Sequence, residues 1–152
     1  MPEVARMEVK VDWHGKEVKK ELEALVRERL FTAGELVKNE AIRSMRDDPK
    51  TGRFYYGRSG RYYRASAAEE SPAVDTGSLI RSMSTMPVED ELAVLVGTMD
   101  PSKHDSLYNK GVSWWLEKGW IHKNGLPVAP RPFLRPALHK MAATIKKLFA
   151  SK

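Results

Sequence analysis

Apolar side chains recur at steps of three and four residues between positions 15 and 45, in the longest periodic segment of the chain. The repeating positions are Val18, Leu22, Val26, Leu30, Ala33, Val37, Ala41 and Met45. Charged residues fill the opposite side, so the spacing predicts a long amphipathic α-helix, with Gly34 at a point where it could bend. At about 1.5 Å per residue the helix is roughly 46 Å long, at least the diameter expected for a compact chain of this size. Either the whole fold packs along this helix, or one end of it meets a partner.

Shorter patterns predict the remaining elements. Residues 7–13 alternate apolar and polar side chains, as a strand with one buried face does. Residues 82–86 and 92–99 flank a polar turn and predict a hairpin, and the unbroken apolar run 92–96 indicates a strand that is covered on both faces. Residues 112–120 predict a short aromatic helix or turn that ends at Gly119. Its tryptophans, Trp114, Trp115 and Trp120, are expected in the core or in a subunit interface.

A final helical stripe runs from position 133 to 149, with Pro136 in the first turn. Together the elements predict an α+β fold, in which a long N-terminal amphipathic helix and a C-terminal helix pack on a small, mainly antiparallel sheet. An extended basic-aromatic arm is expected at about residues 49–70. The 152 residues predict a single domain, 1–152, and the absence of Cys excludes a disulfide. Since no apolar run approaches the roughly 20 residues of a membrane span and no signal peptide is evident, we expect a soluble protein made in the cytoplasm.

The arm combines glycines with aromatic and basic side chains. Aromatic runs on either side of Gly57 and Gly60 predict a two-stranded ribbon or an extended segment, and residues 49–64 include five basic and no acidic residues in a chain of net charge +6. The candidate contact residues are Arg53, Tyr55, Tyr56, Arg58, Arg61, Tyr62, Tyr63 and Arg64. Arginine beside aromatic rings is typical both of nucleic-acid grooves and of protein interfaces. A partner protein, DNA and a plain exposed hairpin therefore remain open.

Asp75-Thr76-Gly77 is a triplet with a catalytic counterpart in the aspartic proteases, where two aspartates share a proton. Pro72 lies three residues upstream, so the buried strand that this chemistry needs is not predicted. We instead expect Asp75 to cap the N-terminus of a short helix that carries Leu79. The four histidines are scattered, and neither a phosphate-binding glycine loop nor a Ser/His/Asp set is recognised. The expectation is no enzymatic activity, no metal and no cofactor.

Three motifs follow one another along the chain. The first is Arg64-Ala65-Ser66-Ala67 leading to Ser71-Pro72-Ala73-Val74-Asp75-Thr76-Gly77-Ser78-Leu79 and Ser82. The second is Leu116-Glu117-Lys118-Gly119, and the third is Ala129-Pro130-Arg131-Pro132-Phe133-Leu134-Arg135-Pro136-Ala137-Leu138. Behind an amphipathic first helix, this order resembles the tail-completion family of tailed bacteriophages, also called head–tail joining or neck proteins. The resemblance covers nearly the whole chain. It implies structural roles, in capping, in turning and in anchoring the last helix, for Pro72, Asp75, Thr76, Gly77, Leu79, Glu117, Gly119, Arg131, Pro132, Phe133 and Pro136.

The resemblance implies a non-enzymatic structural protein of the virion. Such a protein forms an oligomeric ring, with six copies expected from tail symmetry, at the head–tail junction or the tail end, where it completes the tail and joins it to the head. The implied partners are further copies of the chain, a tail-tube or terminator protein, and a head-closure or adaptor protein, with duplex DNA passing through the lumen. The implied location is the neck or tail of the virion, after assembly in the host cytoplasm.

A basic nucleic-acid-binding protein that uses the Arg/Tyr-rich arm is the alternative. Duplex DNA in the lumen of a ring carries one negative charge per about 1.7 Å of axis. A bore lined by arginine would grip and slow that DNA. We therefore expect Arg53, Arg58, Arg61 and Arg64 to contact mostly acidic protein surfaces.

Overall fold

The computed structural model describes residues 14–98, 100 and 106–151, and within them it shows four helices and three two-stranded antiparallel pairs. The helices are α1 (Gly15–Asp47), α2 (Ser78–Ser82), α3 (Ser106–Lys118) and α4 (Leu134–Ala150). The pairs are β1 (Phe54–Tyr56) with β2 (Tyr62–Arg64), β3 (Ser84–Pro87) with β4 (Val94–Gly97), and β5 (Trp120–Ile121) with β6 (Pro127–Val128). The predicted α+β class, with its long first helix, its last helix and its arm hairpin, is confirmed. The predicted strand at 7–13 lies outside the described residues.

Helix α1 is one unbroken helix of 33 residues, about 50 Å long. It ends where predicted, because Asp48 precedes Pro49 and is held in an extended conformation (φ −68°, ψ 137°). All of its buried residues belong to the second half: Ala33, Gly34, Val37, Ala41 and Met45. The predicted stripe is therefore fully buried only from Ala33 onward, whereas Val26 and Leu30 are half-buried and Val18 and Leu22 are exposed.

The core lies where the second half of α1 meets α4, the β3–β4 hairpin and the residue after α2. Its buried members are Val37, Ala41, Met45, Met83, Phe133 and Ala137. At the edge of this core, the Glu40 carboxylate of α1 accepts hydrogen bonds from Arg43 and from Lys140 of α4, whose Nζ lies 2.7 Å away. The Arg43 guanidinium, with Lys140 beside it, lowers the pKa of Glu40 to about 2. The two long helices are thus joined by apolar packing and by an ionised carboxylate.

Gly34 is the point of closest approach between α1 and the β3–β4 hairpin. A Cβ atom at this position would lie 2.5 Å from Cγ2 of Thr85 and 3.3 Å from Cγ2 of Val94. The helix continues through Gly34 without interruption. Its glycine therefore permits close packing of the hairpin, whereas the sequence had suggested a bend.

Replacing Gly34 with alanine is expected to lower the free energy of unfolding by about 1–3 kcal/mol, because overpacking outweighs the better helix propensity of alanine. In α3, Gly111→Ala is the matched control, since an added Cβ there meets nothing closer than 3.9 Å. It should leave stability unchanged or raise it by up to about 1 kcal/mol. Thr85→Ser removes the obstructing methyl group and should relieve part of the Gly34→Ala loss. Denaturant unfolding measures each variant, and a Gly34→Ala loss that is the same with and without the Thr85→Ser change would contradict the packing argument.

Strand β4 is covered on one face only. Val94 and Val96 face α1 at Gly34, whereas Leu95, on the opposite face, is 45% exposed. The prediction that the run 92–96 is covered on both faces was wrong. An apolar run shows that both faces of a strand are apolar, but it does not show which element covers each face. No described residue of the chain buries Leu95.

The tryptophans of α3 likewise lie outside the core. Trp114 is 64% exposed and Trp115 is also exposed, while Trp120 is half-buried in strand β5. The sequence predicted these tryptophans in the core or in a subunit interface. For Trp114 and Trp115 the core location is wrong, and the subunit interface stays a prediction.

Candidate functional site

The arm is a hairpin that contains all eight candidate contact residues. Five lie on its two strands, Arg53 directly precedes β1, and Arg58 and Arg61 lie in the turn. Phe54 pairs with Arg64, Tyr55 with Tyr63, and Tyr56 with Tyr62. The ladder of hydrogen bonds continues beyond the strands. The Gly52 N–H donates to the Ala65 carbonyl (2.9 Å), and the Ala65 N–H donates to the Arg53 carbonyl (2.9 Å). Gly60, in the left-handed region (φ +76°), lets the chain turn between the strands.

One face of the hairpin, formed by Phe54, Tyr56, Tyr62 and Arg64, points to solvent; we call it the aromatic face. The Arg64 guanidinium lies 5.1 Å from the centre of the Phe54 ring, and the Tyr56 and Tyr62 rings meet edge to face at 5.1 Å. All four residues are exposed. Arg53, Arg58 and Arg61 are exposed beside them on the strand end and the turn. The aromatic face therefore presents π surfaces and positive charge together.

Glu70 fastens the base of the hairpin. Its carboxylate accepts hydrogen bonds from the Thr51 hydroxyl (2.5 Å), the Ala67 N–H (2.8 Å) and the Thr51 N–H (3.0 Å). These bonds, led by that from the Thr51 hydroxyl, lower the pKa of Glu70 to about 2. Nothing in the spacing of the sequence marks this residue, because Thr51 lies 19 residues upstream and Ala67 contributes only its backbone N–H.

Asp75 fastens the tip of the hairpin. Its carboxylate accepts the backbone N–H groups of Arg58 (3.0 Å) and Ser59 (3.1 Å). The Ser59 N–H is the leading reason that the pKa of Asp75 lies below its usual value. A Cβ at Gly57 would overlap the Asp75 carboxylate, so the turn needs glycine there.

Asp75 is therefore not the N-cap of α2, and that prediction was wrong. The cap position is Gly77, in the left-handed region (φ +76°), and the Ser78 N–H is met by Oγ1 of Thr76 at 3.3 Å. The Asp75 carboxylate instead accepts a hydrogen bond from the Ser59 N–H, 16 residues upstream in the hairpin turn. Both carboxylate oxygens of Asp75 are thus engaged by backbone N–H groups of the hairpin tip.

Acidification is expected to release the hairpin tip, because the bonds that hold the tip are accepted by the Asp75 carboxylate. Folding lowers the pKa of Asp75, and it lowers the pKa of Glu70 to about 2, so their bonds contribute stability above the ordinary carboxyl pKa of about 4 and lose it as the pH falls through each lowered pKa. The backbone N–H resonances of Arg58 and Ser59 should titrate in this range when followed by NMR. In Asp75→Asn, which cannot ionise, they should not. Identical titrations in the two proteins would contradict the assignment, and the local probe is needed because Glu40 also titrates low.

A second cluster joins the other two motifs at the start of α4. Oε1 of Glu117 accepts hydrogen bonds from the N–H groups of Phe133 (2.8 Å) and Leu134 (2.5 Å). Phe133 occupies the N-cap position and has no polar side chain, so Glu117 supplies the cap from another helix. The Phe133 ring itself is fully buried in the core.

Arg131 and Gly119 complete this cluster. The Arg131 N–H donates to the Leu116 carbonyl (2.6 Å), and its Nε donates to the Ser66 carbonyl (3.1 Å), which links the last motif to the segment after the arm. Gly119 ends α3 in the left-handed region (φ +74°), and a Cβ there would lie 2.7 Å from the Val128 carbonyl oxygen. Of the remaining motif residues, Pro72 is buried, Leu79 packs against the core, Pro132 is half-buried, and Pro136 is exposed in the first turn of α4.

An apolar groove opens beside these clusters, between α1, β4, α3 and α4. It has a volume of about 1130 Å³. Its walls include Leu30 and Val37 of α1, Val96 of β4, Trp114 of α3, and Leu138 and Phe149 of α4. We refer to it below as the apolar groove. Neither the arm nor the motif residues Asp75 and Arg131 line it, so it is a surface separate from the hairpin.

Comparison of the chain with models of protein families, with curated proteins and with solved structures gave no match. Within the described residues, no group of three or more Asp, Glu or His side chains is arranged to hold a metal ion. None of the described helices is long and apolar enough to cross a membrane.

Proposed function

We propose that this protein is a structural component of a tailed-bacteriophage virion. It forms an oligomeric ring, of six copies by tail symmetry, at the head–tail junction or the tail end. There it completes the tail and joins it to the head. Its neighbours are a tail-tube or terminator protein and a head-closure or adaptor protein, duplex DNA passes through the lumen, and the ring is assembled in the host cytoplasm.

The observation that supports this proposal best is that the polar motif residues form hydrogen bonds that hold the fold together. Asp75 ties down the hairpin tip, Glu117 caps α4, and Arg131 links Leu116 to Ser66. The polar groups that carry the family resemblance are thus engaged in building the fold. Large apolar and aromatic side chains remain on the surface, Trp114 and Tyr62 among them. Engaged polar groups and exposed aromatic rings favour a protein that docks to other proteins over one that transforms a substrate.

The aromatic face gives specific support to a second candidate, a nucleic-acid-binding protein. Exposed Tyr56 and Tyr62 offer stacking surfaces, and Arg58 and Arg61 offer charge for phosphates. The same surface suits an acidic protein partner, which the ring proposal favours for the arginines. Salt dependence separates the two, because each phosphate contact adds a fixed increment to the salt dependence of DNA binding.

The mass of the purified protein, alone and with a tail preparation, tests the ring proposal. Native mass spectrometry or light scattering should detect a closed oligomer, or its formation on tails, and nuclease treatment should leave it intact. Particles that lack the protein should fail to join heads to tails. Normal joining in its absence, or turnover of a peptide or small molecule by the isolated chain, would overturn the proposal.

Paired charge variants test the role of the arm. Arg58→Gln with Arg61→Gln removes two charges without touching the backbone N–H groups that Asp75 accepts. Lys146→Gln with Lys147→Gln on α4 removes the same charge elsewhere. We expect the arm variant alone to weaken attachment to the tail. Length-dependent DNA binding that is lost only in the arm variant would instead favour the nucleic-acid candidate.

A further inference from the structure

The outer half of α1 carries an exposed apolar stripe along its first twelve residues, 15–26. Val18 is 62% exposed, Leu22 is 58% exposed, and Leu25 is exposed beside them; we call these three residues the exposed stripe. Their spacing of four and three places them on one side of the helix. The rest of the described fold reaches α1 only further along. Arg27 donates to the Val88 and Glu91 carbonyls of the β3–β4 turn, and Arg29 donates to Ser151 after α4.

The exposed stripe and the apolar groove cannot meet within one copy. Leu30 and Val37, which form one wall of the groove, belong to the same unbroken helix as Val18 and Leu22. A continuous helix of 33 residues cannot fold back onto its own side. A second copy can satisfy both surfaces, because its outer half of α1 can enter the groove of the first copy.

One edge of the exposed stripe and one part of the groove rim carry opposite charges. Glu17 and Glu21, four residues apart, follow one edge of the exposed stripe. Exposed Lys118 and Arg135 lie on the rim of the apolar groove. A stripe that enters the groove with its acidic edge toward α3 and the start of α4 brings opposite charges together at the rim.

We propose that the outer half of α1 of one copy binds in the apolar groove of the next, and that this contact builds the ring. The inference rests on the proposed function and names the subunit contact. The two surfaces differ, so the contact is head-to-tail, and such contacts close into rings when the rotation per copy permits. The twelve residues of the outer half are fewer than the roughly 20–30 on each side of a standard interface. A single contact is therefore weak, and closure, which gives every copy two contacts, stabilises the ring over the open dimer.

Disulfide trapping tests the contact cleanly, because the chain contains no cysteine. Leu22→Cys with Leu138→Cys places one thiol on the exposed stripe and one in the groove, both at exposed positions. Oxidation at the highest soluble concentration should give a ladder of covalent multimers on non-reducing gels. A mixture of the two single variants should give dimers and nothing larger. Leu22→Cys with Ile121→Cys, whose second site is an exposed residue of β5, is the matched control and should give no ladder.

The outcomes separate this inference from the proposed function. A wild-type ring without a Leu22–Leu138 ladder overturns the contact and leaves the ring proposal standing. If the ladder forms but the protein does not attach to tails, the contact stands and the phage role is overturned. Monomers throughout, with no ladder, contradict both. A further outcome is a ladder that forms only after residues 1–13 are deleted and is absent from the full chain. It would mean that these residues occupy the groove, and the contact between copies would be overturned for the full-length protein.

Charge reversal gives an independent reading of the same contact. Glu21→Lys and Arg135→Glu should each raise the protein concentration needed for assembly by about tenfold or more, because like charges then face each other at the rim. The double variant should recover most of the loss. Both positions are exposed, so folding should be unaffected, as circular dichroism can verify. Additive losses in the double variant would contradict the pairing.

Discussion

Replacing Phe133 with alanine is expected to lower the free energy of unfolding by about 3–5 kcal/mol, the largest effect of any single substitution considered for this chain. The ring is 0% exposed and lies among Val37, Met45 and Met83 in the core. Its removal leaves a cavity between α1 and the start of α4. The Glu40–Lys140 ion pair joins α1 to α4 and the Glu117 cap joins α3 to α4, so the helices cannot fully close over the cavity. Thermal and denaturant unfolding measure the loss.

The control for this substitution is Phe54→Ala, which truncates the same residue type at an exposed site on the arm. It should change global stability by well under half as much, since little area is buried there. If Phe133→Ala left the melting temperature unchanged, the phenyl ring of Phe133 would not anchor the last helix.

Glu117→Ala is expected to cost about 2–4 kcal/mol, the second largest effect. The Phe133 and Leu134 N–H groups would lose their common acceptor at a helix start where neither side chain can replace it. Both donors bond to one ionised oxygen, which makes these bonds stronger than neutral ones. Denaturant unfolding gives the loss, and hydrogen exchange at the first turn of α4 should accelerate with it.

Glu117→Gln keeps an oxygen acceptor at the same distance and removes only the charge. We expect it to retain more than half of the stability that Glu117→Ala loses, because the geometry of the cap survives. Equal losses for the two variants would mean that the carboxylate acts through charges that lie beyond the cap, and the cap explanation would fail.

Periodic patterns predicted the elements of this fold well. The spacing from Val18 to Met45 located helix α1 nearly to its last residue, and the glycines at positions 57 and 60 located the arm hairpin. These signals are local, because they depend on residues a few positions apart in sequence. Helix α4 and the β3–β4 hairpin were found by the same means.

Contacts between distant residues were not predictable in this way. Asp75 caps a turn 16 residues upstream and Glu117 caps a helix 16 residues downstream, and nothing in the spacing of polar residues distinguishes such partners from solvent. The cover of Leu95 was misjudged for a related reason, since an apolar run does not reveal which element lies over it. The motif resemblance marked Asp75 and Glu117 as structural, but only their hydrogen bonds give them a physical role.

The hydrogen bonds at Glu70 and Asp75 have a consequence for how the arm would meet a partner. A hairpin that is tied at its base and tip holds its backbone in one conformation before contact is made. Association then restricts little beyond the side chains of the aromatic face, each at a cost of about 0.5–1.5 kcal/mol of entropy. An arm that had to fold on its partner would give up several times more and would recognise it more slowly.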